Sequence, residues 1–212
     1  MSEAVGSARL VAGRLAAMLP LSLEALHQAH RAGRTFAFRP FYGHQPGAPG
    51  ELTESCLSQW WRSRFTVDGV TYLTAEQFMM AGKARLFGDG ESLGRILAEP
   101  NPAKVKRLGR GVRGFDEATW RAHRFELVSF GSQEKFRQDE ALKAFLLSTK
   151  NSILVEASPT DRVWGVGVEA SSPALKRPLE WLGENLLGFA LTRARAVLRG
   201  DVPAVERGPW LG

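Results

Sequence analysis

The sequence has a single cysteine, Cys56, among its 212 residues. One thiol cannot form an intrachain disulfide, and it excludes a zinc site made of several cysteines. A lone cysteine is compatible with a reducing compartment, so we expect a cytoplasmic protein. The four histidines, His27, His30, His44 and His123, lack the spacing of a histidine-based zinc motif. We therefore predict that the protein works without a metal ion or another cofactor.

Long hydrophobic runs are missing as well. No apolar stretch approaches the ~20 residues that a membrane-spanning helix requires. Residues 10–26 form the most apolar segment, but Arg14, Pro20 and Glu24 interrupt it. This segment also lacks a basic start, so we interpret it as a packed helix rather than a signal peptide. We expect no membrane partner.

Several motifs of nucleotide-binding and hydrolytic enzymes are absent too. The chain has no glycine-rich phosphate-binding motif and no alternation of strands and helices, which excludes a Rossmann domain and a P-loop domain. It lacks the nucleophile elbow of a serine hydrolase. No internal repeat or low-complexity tract is present.

The hydrophobic periodicity instead predicts one mainly helical α+β domain with a few short strands. Strands are expected at residues 35–41 and 153–156. A β-hairpin with an Asp68-Gly69 turn is expected between residues 60–65 and 70–73. The predicted helices are residues 23–31, 75–86, 91–97, 102–110, 117–129, 134–148 and 184–198.

The same pattern divides the chain into three parts. Residues 1–34 read as a helical N-terminal extension, and residues 35–200 as the main domain. Residues 201–212 form a C-terminal tail, in which the segment from Pro203 onward is expected to be held loosely.

The basic residues are concentrated in one region. The formal net charge is +6 and the isoelectric point is about 9.9, which favours anionic partners. Seven basic residues lie between Lys104 and Arg124, where Asp116 and Glu117 are the only acids. A solvated helix face would explain this run, and contact with the phosphates of DNA or RNA is the functional alternative. Base stacking is not expected there, because residues 104–113 contain no aromatic residue.

The most informative segment is residues 74–87, which predicts a helix with an acid and an amine on its inner face. Glu76 and Lys83 are seven residues apart, so they point in nearly the same direction, about 10 Å apart along the axis. Met79 and Met80 lie on the same apolar stripe. This arrangement predicts a pocket in which burial shifts the pKa values of titratable groups. The alternative is an exposed acid and amine on a helix that begins with a capping box.

Four other segments combine polar groups, glycines and indoles. Residues 155–167 run from a predicted strand into a loop, a position where catalytic groups are often displayed. A simpler explanation is a loop held by Asp161 and Arg162, with Trp164 in the core. Asn185, at a predicted helix start, could cap that helix or bind a ligand hydroxyl. The remaining segments are residues 57–61, 135–138 and 181–188.

Taken in order, six segments resemble the NADAR family, also called YbiA-like, and the resemblance covers residues 36–198. Two positions depart from the family pattern, since Gln59 replaces a common Asn and Lys150 replaces a common Gly. The matching segments are Phe-Tyr-Gly at 41–43, Leu-Ser-Gln-Trp at 57–60, Thr-Ala-Glu-Gln-Phe-Met-Met-Ala-Gly-Lys-Ala at 74–84, Lys-Phe-Arg-Gln at 135–138, Glu-Ala-Ser-Pro-Thr-Asp-Arg-Val-Trp-Gly-Val-Gly at 156–167 and Trp-Leu-Gly-Glu-Asn-Leu-Leu-Gly at 181–188.

The resemblance implies a compact, mainly helical fold and an N-glycosidase that cleaves a C1′–N bond of ribose. One substrate class is a guanine base of nucleic acid or a nucleotide that carries ADP-ribose. The other is a phosphorylated ribosylaminopyrimidine intermediate of riboflavin biosynthesis. A non-catalytic reader of ADP-ribose or a related nucleotide is the alternative from another class.

The resemblance also implies roles for individual residues. Glu76 would transfer protons, Lys83 would attack C1′ of a ring-opened sugar, and Asp161 would hold ribose hydroxyls or stabilise positive charge. Trp164 and Trp60 would enclose the base. The other expected substrate contacts are Phe41, Tyr42, Ser58, Lys135, Gly165 and Asn185.

Overall fold

The computed structural model describes residues 19–48 and 51–212. These ranges contain seven α-helices and four short strands, which confirms the predicted α+β class. No helix in the described ranges is long and apolar enough to cross a membrane. Most of the predicted apolar segment 10–26 lies outside the described residues. The helices are α1 Leu23–Arg31, α2 Ala75–Leu86, α3 Gly90–Ala98, α4 Pro102–Arg110, α5 Glu117–Arg137, α6 Glu140–Ser148 and α7 Leu186–Arg199; the strands are β1 Phe38–Phe41, β2 Phe65–Val67, β3 Val70–Tyr72 and β4 Ile153–Glu156.

The strands form two small sheets in the described part of the chain. β1 and β4 pair in parallel, and Phe41 lies opposite Glu156 where both strands end. Parallel strands present their carboxyl ends at the same edge, so the segments that follow β1 and β4 begin next to each other. This edge positions Glu156 and the loop after it.

The second sheet is the predicted hairpin of β2 and β3. Asp68 and Gly69 have φ angles of 51° and 76°, the left-handed values that a two-residue hairpin turn of this type needs. The predicted first strand at residues 60–65 is wrong, since only residues 65–67 pair with β3. The preceding residues form turns instead, and the Trp60 N–H donates to the Ser58 hydroxyl (3.1 Å).

The ends of α2 and α4 follow from local signals. The Thr74 hydroxyl accepts a hydrogen bond from the Gln77 N–H (3.1 Å) and caps α2. Asn101 caps α4 by accepting from the Ala103 N–H (2.9 Å), and Pro102 occupies the first helical turn. The predicted bounds of α1, α2, α4 and β4 are confirmed. Neighbouring residues encode such caps, so the sequence alone reveals them.

α5 is longer than predicted. We expected the helix to end at residue 129, but it continues past Gly131 to Arg137. A Cβ at Gly131 would lie 2.5 Å from the Phe78 ring, so glycine allows close packing of α5 on α2. Asp139, rather than an earlier residue, caps the next helix, α6. The predicted helix start at residue 134 is therefore wrong.

α2 lies at the centre of the fold, and all of its residues from Ala75 to Ala84 are buried. Met79 and Met80 pack in the main hydrophobic core, as predicted for two residues on an apolar stripe. A second cluster lies on the other side of β4, where Leu26 of α1 packs with Phe189 of α7. α2 therefore places Glu76 and Lys83 in surroundings with little water.

The C-terminal tail packs on the same core. Val205 and Trp210 are each only 4% exposed and belong to the cluster that contains α2. The Val205 N–H donates to the Gln133 side chain of α5 (2.9 Å). The prediction of a loosely held tail is wrong, because the buried side chains of Val205 and Trp210 anchor it to the core.

Candidate active site

Glu76 is a buried carboxyl at the first turn of α2. It is 3% exposed, and its backbone N–H donates to the Gln59 carbonyl (2.9 Å), which holds α2 against the loop that carries Trp60. Within the described residues, the Oε1 atom of Glu76 has no hydrogen-bond partner. Burial raises the pKa of Glu76 to about 7, against the opposing effects of Lys106 and a hydrogen bond from Trp60. A carboxyl with this pKa can both give and take a proton near neutral pH.

Glu156 provides a second carboxyl, which is not among the residues predicted from the sequence to be catalytic. It ends β4, and burial raises its pKa to about 8, with further increases from Asp161 and Glu76 and a decrease from Lys106. Its Oε2 atom has no hydrogen-bond partner in residues 19–48 and 51–212. Glu76, Glu156 and Asp161 thus lie within electrostatic reach of one another. The sequence feature that could have identified Glu156 is its position as an acid at the end of a predicted strand, just before a loop.

Asn185 positions Glu156 rather than a substrate. Its side chain is fully buried, and its Oδ1 accepts from the Glu156 N–H (3.0 Å) while its Nδ2 donates to the Leu154 carbonyl (2.9 Å). Both ends of the amide are therefore used by β4, which corrects the expected contact with a ligand. Asn185 has a left-handed φ of 56° and does not cap α7 with its side chain. A Cβ at Gly188 would lie 2.1 Å from the Leu154 carbonyl, so α7 approaches β4 closely.

Asp161 shapes the loop that follows β4. Its Oδ1 accepts hydrogen bonds from the N–H groups of Val163 (3.0 Å) and Trp164 (2.8 Å). The alternative explanation, a loop held by Asp161 and Arg162, is thus replaced by bonds from Asp161 to the backbone. A Cβ at Gly165 would lie 2.8 Å from the Glu156 carbonyl oxygen. Glycine at this position therefore lets the loop pack closely against the end of β4, which is a structural role rather than a substrate contact. Asp161 also adds negative charge beside the two glutamates.

Two substitutions separate the roles of Asp161. Asp161→Asn keeps an oxygen that can accept from the Val163 and Trp164 N–H groups, but it removes the charge. Asp161→Ala removes both. If the charge stabilises a cationic sugar, we expect both variants to lower kcat by about 10²-fold or more, since one preorganised electrostatic group contributes about that much. Only Asp161→Ala should also lower Tm, by several degrees in a thermal scan. Equal kcat for Asp161→Asn and wild type would restrict Asp161 to a structural role.

Trp60 lies beside Glu76 and is enclosed by polar and cationic groups. The His44 ring is 5.2 Å from the Trp60 ring, and the Lys106 ammonium is 5.9 Å from it. The Ser58 hydroxyl holds the Trp60 backbone N–H. The structure therefore brings the predicted residues Glu76, Trp60 and Asp161 together, and it adds Lys106.

Lys135 supports this region from inside. It is 2% exposed, and its ammonium donates to the carbonyls of Cys56 (2.6 Å) and Ser58 (2.9 Å). Burial lowers the pKa of Lys135 to about 7, against opposing effects of Cys56 and Asp139. Its bonds fix the turn before Trp60, so the expected substrate contact is corrected to a positioning role.

Lys83 lies in surroundings different from those of Glu76. Its ammonium donates to the Gly109 carbonyl of α4 (2.9 Å) and lies 4.1 Å from the Phe115 ring centre and 5.5 Å from that of Trp120. Burial lowers the pKa of Lys83, against the opposing effect of Glu117. Glu76 and Lys83 thus lie on one buried helix, α2, with different immediate neighbours, and the pocket that they would share stays a prediction.

The other predicted contacts divide between core and surface. Phe41 is 2% exposed and packs in the main core, which corrects its expected substrate contact. Tyr42 is 61% exposed and lies next to the carboxyl end of the parallel sheet. Trp164 is partly buried and packs against the core. No group of three His, Cys, Asp or Glu side chains in the described residues is arranged to hold a metal ion.

The basic stretch from Lys104 to Arg124 has two halves in the structure. Its second half is paired with acids, through Arg113–Asp89, Arg121–Glu117 and Arg124–Glu184. Its first half is α4, a nine-residue helix without an acid. There Lys106 and Arg110 act on the Glu76 carboxyl, while Lys104 and Arg107 are exposed. Positive charge is thus available to a ligand mainly along α4.

The raised pKa of Glu76 links folding to pH. The folded pKa of about 7 exceeds the ordinary value of 4.5, so the folded state binds this proton more tightly than the unfolded state. Its stabilising contribution is complete below about pH 4.5 and is lost as the pH rises through about 7. Glu76→Gln cannot ionise, so its Tm minus that of wild type should be larger at pH 8 than at pH 5. An equal difference at both pH values in calorimetry would contradict the raised pKa.

These features define a mainly helical α+β domain with one buried and one half-buried carboxyl beside an indole and two cations. The NADAR domain model matches residues 41–199. The chain therefore belongs to the NADAR domain family, which confirms the resemblance of the six segments.

Similarity to individual proteins agrees with this assignment. The chain is 41% identical to an N-glycosidase of Acanthamoeba polyphaga mimivirus, over 66% of this chain and 85% of that protein. It is 29% identical to the N-glycosidase YbiA of Escherichia coli K12, over 62% of this chain and 74% of that protein. A riboflavin biosynthesis protein of Vibrio vulnificus is 27% identical, over 78% of this chain but 40% of its own length.

A solved structure has the same fold. The NMR structure of Escherichia coli YbiA superposes with a TM-score of 0.60 and 23% identity, and the match covers 79% of this chain and 88% of the other. At this identity the likeness establishes the fold alone.

Proposed function

We propose that the protein is an N-glycosidase that hydrolyses the bond between C1′ of a ribose and a base nitrogen. The observation that carries this proposal is the Glu76 carboxyl, buried with one oxygen lacking a partner in the described residues and next to a second carboxyl, that of Glu156. Two relatives named N-glycosidases support the reaction class.

The reaction needs a proton donor and a stabiliser of positive charge. As the C1′–N bond breaks, the nitrogen must gain a proton and the sugar becomes cationic. Burial raises the pKa of both Glu76 and Glu156, and the charge of Glu76 raises that of Glu156 further, so both carboxyls cannot easily be ionised at once near neutral pH. One carboxyl stays protonated and serves the leaving nitrogen, and the other acts as the base or stabilises the cation. Asp161 adds a further negative charge facing the sugar.

The substrate in this proposal is a guanine base that carries ADP-ribose. Lys106 and Arg110 of α4 act on the Glu76 carboxyl, and with the exposed Lys104 and Arg107 of the same helix they suit a substrate with several phosphates. A phosphorylated ribosylaminopyrimidine of riboflavin biosynthesis is the second candidate, and it is favoured by the similarity to the Vibrio vulnificus protein. Both substrates join C1′ to an amine, so one catalytic arrangement suits both.

Lys83 is proposed as the nucleophile. After the sugar ring opens, C1′ is bonded to the leaving amine as an imine, and the ring oxygen has become a hydroxyl. The neutral Lys83 amine adds to C1′, the base amine leaves with a proton, and a Lys83–sugar imine remains. Water then hydrolyses this imine to the free sugar aldehyde and restores the lysine. The lowered pKa of Lys83 increases the fraction of neutral amine.

The proposal is tested by incubating the enzyme with ADP-ribosylated guanosine and, separately, with a ribosylaminopyrimidine phosphate. Chromatography measures the released base, with Glu76→Gln as the inactive reference. Release from one substrate by wild type, at least about a hundredfold faster than by Glu76→Gln, supports the enzyme. Tight binding of ADP-ribose in calorimetry without turnover of either substrate would instead indicate a non-catalytic reader.

A further inference from the structure

A cleft of about 480 Å³ opens beside the candidate active site, at the start of α4. Its walls include the rings of Trp60, Trp61 and His44, the exposed side chain of Arg62, and Asn101, which caps α4. The volume lies within the range of small-ligand sites. None of the sequence-predicted roles accounts for Trp61 or Arg62.

The cleft and the candidate active site share Trp60. Trp60 contributes to the cleft wall and also lowers the pKa of Glu76. The Lys106 ammonium lies 5.9 Å from the Trp60 ring and lowers the pKa of Glu76. A ligand group in the cleft would therefore be a part of the substrate that adjoins the reacting sugar.

Positive charge borders the cleft. α4 begins at Pro102 in the cleft wall and carries four basic residues and no acid. Lys104 and Arg107 on this helix are exposed, as is Arg62 in the cleft wall, whose guanidinium donates to the Pro100 carbonyl (3.4 Å). Flat aromatic surfaces next to cations are the arrangement that binds a nucleobase together with its phosphate.

We propose that this cleft binds a second nucleobase of the substrate, with its phosphate on the cations of α4 and Arg62. The inference rests on the proposed function, in which the first base is the one released beside Glu76. Two sources can supply a second base with a phosphate: the adenylate end of the ADP-ribose group, or the neighbouring nucleotide of a nucleic acid strand. A ribosylaminopyrimidine phosphate contains one base and would leave the cleft empty.

Residues 104–113 lack aromatics, so the sequence does not predict base stacking near the basic stretch. The structure supplies the aromatics from another part of the chain. Trp60 and Trp61 lie more than forty residues before Lys104 and reach the start of α4 only through the fold. A stacking surface and its cations thus come from two separate segments.

The test compares kcat/KM for three substrates: a ribosylaminopyrimidine phosphate, ADP-ribosylated guanosine, and a single-stranded oligonucleotide with one ADP-ribosylated guanine. Trp61→Leu removes the ring but keeps an apolar side chain, and Trp61→Phe restores a ring. For Trp61→Leu we expect a loss of about tenfold or more with a two-base substrate and less than twofold with the one-base substrate. Trp61→Phe should recover most of the loss.

The pattern of loss identifies the source of the second base. A loss with both ADP-ribosylated substrates indicates the adenylate, and a loss with the oligonucleotide alone indicates the neighbouring nucleotide. Arg62→Ala should reproduce the pattern, whereas Arg121→Ala, which removes an exposed cation paired with Glu117, should not. Equal losses with all three substrates, or no loss with any, would overturn the inference.

The inference and the proposed function can fail separately. If wild type releases no base from any of the three substrates, the proposed function fails. Calorimetry with ADP-ribose and with an unmodified oligonucleotide then decides about the cleft. At least tenfold weaker binding of one of them by Trp61→Leu supports a base-binding cleft, and unchanged affinity for both overturns it.

Discussion

Glu76→Gln is expected to lower kcat for release of the base by about 10²–10⁴-fold, the usual contribution of a positioned general acid or base. Glutamine has nearly the same shape as glutamate and fills the same space, but it cannot transfer the proton that the leaving nitrogen needs. Burial makes the Glu76 carboxyl costly to ionise, as its raised pKa shows. Glutamine is neutral at every pH and avoids this cost. The variant should therefore fold at least as stably as wild type.

The matched control is Glu140→Gln, which makes the same chemical change at a side chain that is 85% exposed on α6. Its kcat should stay within twofold of wild type. Steady-state kinetics from pH 5 to 9 add a second measurement. Wild type should show one limb near pH 7 that is lost in Glu76→Gln and a second near pH 8 that is lost in Glu156→Gln, since these are the raised pKa values of the two carboxyls. An unchanged pH profile in both variants would remove this carboxyl pair from the mechanism.

Lys83→Arg should abolish turnover, with a loss of at least about 10³-fold, because guanidinium cannot form the imine. Arginine keeps a positive charge and N–H donors for the Gly109 carbonyl, so the contact between α2 and α4 can persist. The same experiment includes borohydride, which reduces an imine to a stable bond. Wild type with substrate should give a covalent adduct with the sugar, located at Lys83 by mass spectrometry, and Lys83→Arg should give none.

A second substitution controls for packing. Lys83→Met keeps the apolar stem against Phe115 and Trp120 but removes the amine, so it should fold normally and be inactive. Lys143→Met on α6 makes the same change outside the site and should leave turnover unaltered. Near-normal turnover by Lys83→Arg, without any adduct in wild type, would mean that water attacks C1′ directly. Lys83 would then be a structural link between α2 and α4.

Features that depend on neighbouring residues were predictable from the sequence. The bounds of α2 follow from the Thr74 cap, those of α4 from Asn101 and Pro102, and the hairpin turn from Asp68 and Gly69. The burial of Glu76 was also predictable, because it shares an apolar stripe with two methionines. The break expected before residue 134 failed for a tertiary reason, since Phe78 of α2 occupies the space beside Gly131.

The roles of single polar residues were harder to predict from the sequence. Asn185 and Lys135 occur in the family motifs, but their partners are backbone atoms 29 or more residues away. No local pattern distinguishes a buried amide that holds a strand from one that holds a ligand. Glu156 was missed for the same reason, because its raised pKa results from burial and from residues brought close by the fold.

The sequence by itself determined the helical character of this protein, its main turns, its family and the position of one acid and one amine on α2. Those properties depend on side-chain periodicity and on hydrogen bonds between close neighbours along the chain. Only the tertiary structure decided that Glu76 lies within electrostatic reach of Glu156 and Asp161, that Lys83 bonds to α4, and that Trp61 lines a cleft beside basic residues. Burial and charge coupling act through space, so they became visible only when distant segments were brought together.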